Sequence, residues 1–275
     1  MPIITLTTDF GEKDHFAGAV KGAIYSELKD IKIVDISHSV SPFHITEAAY
    51  IIQNAYKSFP KGTIHIVGID SELTPENKHI AVLLDGHYFL CADNGIISLI
   101  TQDLRPKKIV EINIHDRVQS DFPVLDVFVK VACHIARGGT LDVIGKEISE
   151  IKEMKGFAPA VYTNQIVGSV LYIDNYGNVV TNITKKLFEE MGKSKAFTIK
   201  ARTITFKTIY AKYSDAIDFN SPPDKREEDG KKLAIWNASG FLELAIYKSN
   251  PQTVGSASTL FGLYFRDTIT IDFES

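Results

Sequence analysis

The pattern of apolar residues changes near residue 150, and no other feature of the sequence constrains the fold as much. Before that point, short β-branched and apolar runs alternate with stretches in which apolar residues recur at helical spacing. This alternation predicts an α/β domain with a mostly parallel sheet and helices on both faces. After that point, short strands separated by turns predict an all-β, barrel-like domain.

The two patterns give a domain organisation with explicit boundaries. We predict an α/β domain over residues 1–150, a charged linker over 151–164 and a β-barrel domain over 165–275. In the first domain the strands are predicted at Ile3–Thr8, Ile31–Ile36, Thr63–Val67, Ile80–Leu84, Tyr88–Ala92 and Lys108–Ile112. In the second domain they are predicted at Val167–Ile173, Val179–Ile183, Ala196–Ile199, Thr203–Ile209, Leu233–Trp236, Phe241–Ile246 and Thr268–Asp272.

Charge and cysteine content narrow the function classes. The 30 basic residues against 34 acidic ones give a net charge of −4, which argues against a dominant nucleic-acid binder because phosphate contacts require a basic excess. We expect no membrane span, since no apolar run approaches ~18 residues, and the N-terminus lacks the features of a signal peptide.

Cys91 and Cys133 lie in apolar runs, as in a reducing compartment, so we expect a cytoplasmic protein. The histidine and cysteine spacings predict no metal site.

Acidic residues follow several predicted strands of the first domain. Ligands of open α/β sheets bind beyond the carboxyl ends of the strands, where Asp9 and Asp70 are expected. A carboxylate such as Asp9 can accept two hydrogen bonds from a vicinal diol such as a ribose, although an aspartate also caps turns. Asp14 precedes the first predicted helix, whose apolar spacing begins at Phe16, and could equally be the N-cap of that helix.

The second domain contains two polar hairpin tips, at 174–178 and 237–240. Asparagine and glycine in such tips are explained by turn geometry alone. They acquire a functional meaning only in combination with the segments of the first domain.

Taken in order, five segments resemble the S-adenosyl-L-methionine (SAM) hydroxide adenosyltransferase family, whose relatives include the fluorinase and the chlorinase. The segments are TTDFGEKDHFAGAVKGAI, IVDISHSVSPFHITEAAYIIQNAYKSFPKGTIHI, ADNGIIS, YIDNYGNVVTNI and NASGFLELAIYKSN. The resemblance implies hydrolysis of SAM to adenosine and methionine by attack of water at the ribose C5′ carbon, without metal or cofactor. It also implies a homotrimer with each site between two subunits.

The resemblance also implies roles for residues of the first domain. Asp9 resembles the carboxylate that binds the ribose hydroxyls, and Asp14 resembles an acid that holds the methionine ammonium group. Phe43 matches the position of an aromatic wall beside the nucleoside.

In the second domain the implied roles concern the methionine and the adenine. Asp174 resembles a second acid for the ammonium group, and Asn178 resembles the amide that reads the adenine edge. Ala238 and Ser239 match the turn that contacts the methionine carboxylate.

The sequence departs from the hydrolase pattern where the attacking water is held. The pattern of the family hydrolases is V-D-P-G-V-G-T-x-R-R after the third strand and H-G-R-D before the helical pattern that runs from Leu125 to Ala136 here. Asp70 is kept, but the arginine position falls on Asn77, with Lys78 adjacent, and the histidine position falls on Pro123. The serine that binds halide in the fluorinase falls near Val124.

Three hypotheses follow from this departure. The first is a hydrolase in which Asp70 places the water with help from Asn77, Lys78 or a nearby histidine such as His79. The second is a protein that binds SAM or adenosine without turnover. The third, which is the weakest, is a halogenase with an unfamiliar halide pocket.

Overall fold

A computed structural model describes residues 2–101, 104–114, 120–154, 156, 158–192, 195–226, 228 and 230–274. The chain divides into two compact units, residues 1–156 and 157–275. The boundary lies inside the stretch 151–164 predicted as a linker, and that stretch contains a short strand, Ala160–Tyr162, which belongs to the second unit.

The first unit combines a seven-stranded sheet with helices. Its strands are β1 (Ile3–Thr8), β2 (Lys32–Ser37), β3 (Ile64–Gly68), β4 (His79–Leu84), β5 (His87–Ala92), β6 (Lys108–Ile112) and β7 (Gly145–Glu147). Its α-helices are α1 (Phe16–Glu27), α2 (Ile45–Ala55), α3 (Ile96–Thr101) and α4 (Val129–Ala136). A π-helical turn, Val124–Phe128, leads directly into α4.

The sheet of the first unit is mixed, with the order β2-β1-β3-β5-β4-β6-β7. The strands β2, β1, β3 and β5 are parallel, as the alternating pattern predicts, whereas β4, β6 and β7 pair antiparallel. The antiparallel part starts at the turn between β4 and β5, where Asp85 and Gly86 both have positive φ, 48° and 78°. Two such residues form the tight turn that joins neighbouring antiparallel strands.

Helices cover both faces of this sheet, as predicted. Ala81 of β4 belongs to a buried cluster that contains residues of α1 and α4. Its neighbours Ile80 and Val82 point to the other face and belong to a cluster with residues of α2 and α3. The alternation follows from the two-residue period of a strand, and it explains why β4 is apolar throughout.

The second unit is one curved, barrel-like sheet, which confirms the predicted class. Its strands are β8 (Ala160–Tyr162), β9 (Gln165–Ile173), β10 (Val179–Thr184), β11 (Phe197–Ala201), β12 (Ile204–Phe206), β13 (Ile209–Tyr210), β14 (Lys232–Trp236), β15 (Phe241–Ile246) and β16 (Thr268–Phe273). Their order is β12-β11-β16-β9-β10-β15-β14-β13, with β8 added beside β9. The predicted single strand Thr203–Ile209 is therefore two strands, β12 and β13.

Two short helices of the second unit, α5 (Lys185–Gly192) and α6 (Ala257–Phe261), were not expected from the sequence. Ser256 caps α6 by accepting a hydrogen bond from the backbone N–H of Thr259. Across the part of the chain that the structure covers, no helix has the length and apolar character needed to cross a membrane. Cys91 and Cys133 are both buried free thiols.

Candidate functional site

Two carboxylates, Asp9 and Asp70, lie beyond the carboxyl ends of adjacent parallel strands. Thr8 of β1 is paired with Gly68 of β3, so the residues that follow these two positions emerge at the same edge of the sheet. Burial raises the pKa of Asp9, the negative charge of Asp70 adds to the rise, and a hydrogen bond from the Phe43 backbone opposes it. The pair gives this edge a concentrated negative charge that suits a cationic ligand.

Phe43 forms the rim above Asp9. Its backbone N–H donates to Asp9 Oδ2 at 2.8 Å, and its φ of 60° is unusual for a residue with a side chain. The ring is 72% exposed. An aromatic ring held out of the core beside a carboxylate is a surface on which a planar base or sugar can pack.

A network of polar contacts begins at Thr8, the residue before Asp9. The Thr8 hydroxyl lies 2.7 Å from His38 Nδ1, and His38 Nε2 lies 3.1 Å from Asp35 Oδ1. Lys21 donates to the other oxygen of Asp35 at 2.6 Å. Thr8 and His38 are buried, so these two side chains hold the strand ends in place and do not face a ligand.

The loop after β3 is held by a buried amide. Asn94 Nδ2 donates to the carbonyl of Ile69 at 3.0 Å and reaches the carbonyl of Asp70 at 3.5 Å. Asp70 itself has a φ of 44°, in the left-handed region that a residue with a side chain rarely adopts. Such backbone strain clusters at functional sites.

The side chain of Asp70 is in contact with Asn77. Asn77 Nδ2 donates to Asp70 Oδ2 at 3.5 Å, and Lys152 Nζ donates to Asn77 Oδ1 at 3.3 Å. Lys152 was not among the residues expected from the sequence. It lies 75 positions from Asn77 in the chain, so no local motif could have indicated it.

Lys78 and His79 have other surroundings. Lys78 lines a cavity of about 450 Å³ together with Asp93, Lys146 and Glu147, and Asp70 is not part of its lining. His79 is buried, with Nε2 2.9 Å from the carbonyl of Ser71 and its ring packed against Phe128. His79 therefore fixes the loop that follows Asp70.

An apolar wall occupies the positions where the family histidine and halide-binding serine fall. Pro123 and Val124 are buried at the start of the π-helical turn. A Cβ added to Gly68 would lie 3.0 Å from Val124 Cγ2, which shows how closely the wall approaches the end of β3. The rings of Phe10 and Phe122 extend the wall, with centroids 5.4 Å apart.

Asp14 is exposed in the turn before α1. Its predicted contact with an ammonium group stays a prediction.

In the second unit, Asp174 and Asn178 close the turn between β9 and β10. Asp174 Oδ1 accepts from the backbone N–H groups of Tyr176 and Asn178, at 2.9 and 2.8 Å. Asn178 Nδ2 donates to Asp174 Oδ2 at 3.0 Å, and Asn178 is buried. The carboxylate thus has a fixed orientation, which is a requirement for a selective ligand contact.

Ala238 and Ser239 form the exposed tip between β14 and β15. Asn237 shapes this tip, since its Oδ1 accepts from the backbone N–H groups of Ser239 and Phe241 at 3.0 and 3.1 Å. Their predicted contact with the methionine carboxylate stays a prediction.

One buried acid was missed at the sequence level. Glu243 is 4% exposed within the apolar strand β15, and Tyr213 donates its hydroxyl proton to Glu243 Oε1 at 2.5 Å. Burial raises the pKa of Glu243, and the charge of Asp174 contributes to the rise. The signal was a lone glutamate among apolar residues in FLELAI.

Within the residues described, no cluster of three or more histidine, cysteine, aspartate or glutamate side chains has a metal-binding arrangement. Asp9, Asp70, Asn77 and Lys152 bring carboxylates, an amide and a lysine ammonium group to the strand ends. These groups hold polar ligands, orient a water molecule and accept its proton.

Comparison with known proteins gives two family matches. Residues 4–145 match the SAM hydroxide adenosyltransferase N-terminal domain, and residues 168–270 match the corresponding C-terminal domain. The (R)-S-adenosyl-L-methionine hydrolase of Methanocaldococcus jannaschii is 30% identical over 98% of this chain and 96% of its own length. A fluorinase from Actinopolyspora mzabensis is 22% identical over 89% of this chain and 90% of its own length.

Solved structures show the same fold. An uncharacterized conserved protein from Thermotoga maritima superposes with a TM-score of 0.83 at 26% identity, covering 99% of this chain and 100% of that one. A conserved hypothetical protein from Thermus thermophilus superposes with a TM-score of 0.72 at 19% identity over the whole of both chains.

Proposed function

This chain belongs to the SAM hydroxide adenosyltransferase family, and from that membership we propose that it hydrolyses S-adenosyl-L-methionine to adenosine and L-methionine. The observation that carries the proposal is the pair Asp9 and Asp70 at the ends of β1 and β3. A sulfonium substrate is a cation, and two neighbouring carboxylates favour its binding through charge.

The reaction is an in-line displacement at the ribose C5′ carbon. The water oxygen forms a bond to C5′ while the C5′–sulfur bond breaks, and its electron pair remains on the sulfur of methionine. The proton lost by the water passes to a base or to solvent, and Asp70 is the candidate base. Because the sulfonium is already a good leaving group, the protein needs chiefly to orient the reactants and exclude bulk water.

The residues of the first unit would divide the work by position. Asp9 would bind the ribose hydroxyls, Phe43 would pack against the nucleoside, and Asp70 with Asn77 would hold the water. The buried Val124 supports this arrangement, because an apolar wall near the end of β3 limits the water that can reach the reacting carbon.

The second unit would supply the remaining contacts. Asp174 would hold the methionine ammonium group, together with Asp14, and Asn178 would read the adenine edge. Ala238 and Ser239 would contact the methionine carboxylate. These roles, and a homotrimer whose sites lie between subunits, rest on resemblance to the family. A cytoplasmic location stays a prediction from the sequence.

We further propose that the substrate is the epimer of SAM with the (R) configuration at sulfur. Relatives from Methanocaldococcus jannaschii and Thermus thermophilus, at 30% and 24% identity, are both named (R)-S-adenosyl-L-methionine hydrolase. An in-line attack explains such selectivity, since inverting the sulfur centre moves the methionine chain relative to acids that are fixed in space.

A second candidate is a protein that binds SAM without turnover. One observation favours it: Asp70 is contacted by the amide of Asn77, at the position where the family pattern has an arginine. A halogenase is the less favoured third candidate, since Val124 offers no hydrogen-bond donor for a halide.

The deciding experiment is to incubate the pure protein with each SAM epimer, with and without chloride or fluoride, and to separate the products by liquid chromatography. We expect adenosine and methionine from the (R) epimer without halide, and a loss of at least about a hundredfold in turnover for Asp70→Asn. Asp30→Asn, an exposed acid in the turn after α1, is the matched control.

Each other outcome supports a different candidate. Tight binding without product would support a binding protein, and a halogenated nucleoside formed only with halide would support a halogenase. Equal turnover of both epimers would remove the proposed selectivity at sulfur. Full activity of Asp70→Asn would remove Asp70 from the mechanism.

A further inference from the structure

The family pattern has an arginine at the position of Asn77. The asparagine lacks the positive charge that an arginine would place beside Asp70, the carboxylate proposed to hold the water. A guanidinium group supplies two things at such a place, namely planar N–H donors and a permanent positive charge. Asn77 provides a planar N–H donor to Asp70, at 3.5 Å, but carries no charge.

Lys152 brings a positive charge to the amide that contacts Asp70. Its ammonium group donates to Asn77 Oδ1 at 3.3 Å, so the two polar ends of this amide have different partners. Because Oδ1 accepts from the lysine, Nδ2 is the end that faces Asp70 Oδ2. The lysine therefore fixes the orientation of the amide as well as adding a charge.

The backbone around Lys152 is anchored to the same edge of the sheet. The Lys152 N–H donates to Asp93 Oδ1 at 2.9 Å, and the Asp93 N–H donates to the carbonyl of Lys78 at 2.6 Å. Two residues further on, the Met154 N–H donates to Ser98 Oγ at 2.8 Å. These bonds hold the segment after β7 against the ends of β4 and β5.

The backbone of Asn77 is also held, by two hydrogen bonds with Thr74. Its N–H donates to Thr74 Oγ1 at 2.9 Å, and its carbonyl accepts from the Thr74 N–H at 3.2 Å. The backbones of Asn77 and Lys152 are thus both held by hydrogen bonds. Lys78, the lysine adjacent to Asn77 in the chain, lines a cavity that does not include Asp70.

The geometry points to Lys152 as a positioning residue of the water site, which together with Asn77 replaces a single arginine. The inference rests on the proposed hydrolase function. Asn77 touches Asp70 and Lys152 acts through Asn77, so removing the lysine lets the amide rotate and leaves the carboxylate without a fixed donor. Such misplacement affects the chemical step more than substrate binding.

The test measures kcat and KM for (R)-SAM hydrolysis in Lys152→Met, which keeps the length of the side chain and removes its charge. We expect kcat to fall about ten- to a hundredfold, with KM within about threefold of the wild type. Lys152→Arg should restore most of the lost kcat because it keeps the charge. Lys146→Met, an exposed lysine of β7, is the control and should match the wild type.

A double variant tests the replacement directly. Asn77→Arg combined with Lys152→Met returns a guanidinium to position 77, and its kcat should exceed that of Lys152→Met alone. Melting temperatures check folding, and if Lys152→Met is unstable, Lys152→Gln removes the same charge with a polar side chain.

The outcomes separate this inference from the function on which it rests. An active wild type with Lys152→Met at full kcat overturns the inference alone, and so does a Lys152→Arg variant no better than Lys152→Met. A wild type that turns over neither SAM epimer overturns the proposed function, and the positioning role is refuted with it.

Discussion

A buried histidine pair predicts that the first unit loses stability in mild acid. His65 of β3 lies with Nδ1 2.7 Å from the Thr5 hydroxyl and Nε2 3.2 Å from His87 Nδ1, and both imidazoles are buried. Burial, with a smaller contribution from His87, lowers the pKa of His65 from 6.5 to about 3. The folded state therefore keeps His65 neutral over a range in which the unfolded chain binds a proton.

The sign and size of the effect follow from proton linkage. Between pH 6.5 and about 3 the unfolded state holds the extra proton, so this contribution to stability is complete above pH 6.5 and is lost as the pH falls. With these two pKa values, acidification from pH 8 to pH 5 lowers the free energy of unfolding by about 2 kcal/mol through His65 alone.

The assay is urea unfolding followed by far-UV circular dichroism at pH 8 and pH 5. The wild type should lose about 2 kcal/mol more between the two pH values than His65→Gln, which cannot be protonated. His15→Gln, at an exposed site, is the matched control and should keep the wild-type pH dependence. If His65→Gln loses as much stability as the wild type in acid, the buried neutral histidine is not the cause.

Three further predictions concern the strand ends and the second unit. Asp9→Asn should weaken SAM binding at least about tenfold in calorimetry, because it removes a charged acceptor for the ribose hydroxyls, and unchanged affinity would exclude that contact. Gly68→Ala should lower the free energy of unfolding by about 1–3 kcal/mol, since its Cβ would lie 3.0 Å from Val124 Cγ2, and a neutral result in a denaturant titration would mean that the wall yields. Tyr213→Phe should cost about 1–3 kcal/mol by leaving the buried Glu243 without its hydroxyl donor, and a melting temperature equal to that of the wild type would argue against this.

The order of elements in the first unit was readable from the sequence because its signals are local. A β-branched run such as Ile3–Thr8 and the helical spacing within α1 are both properties of neighbouring residues. The direction of β4 could not be read from the same signals, because periodicity does not distinguish parallel from antiparallel strands. The dipeptide Asp85-Gly86 was the available signal, because that pair favours a tight hairpin turn.

The candidate site was predictable only in part, for the same reason. Asp9 and Asp70 could be expected together because both follow strands of a predicted parallel sheet, and parallel strands end at one edge. The roles of Asn94 and Lys152 could not be expected, because each depends on a contact between residues distant in the chain, such as the 75 positions between Asn77 and Lys152. Lys78 was one of the alternatives because it is adjacent to Asn77 in the sequence, and the structure places it at the lining of a cavity that does not include Asp70.

The departure from the family pattern at positions 77 and 123 is compatible with hydrolysis because of the leaving group. A neutral sulfide departs from a sulfonium without protonation, so the site needs no acid at the sulfur and no metal to polarise a bond. What the reaction requires is a carboxylate near the water, a fixed donor that orients that carboxylate, and a wall that excludes bulk solvent. In the proposed mechanism Asp70, the pair Asn77 and Lys152, and the buried Val124 would meet these requirements in turn. A donor from Asn77 and a charge from Lys152 would then together replace an arginine, provided that the backbones of the two residues are held in place.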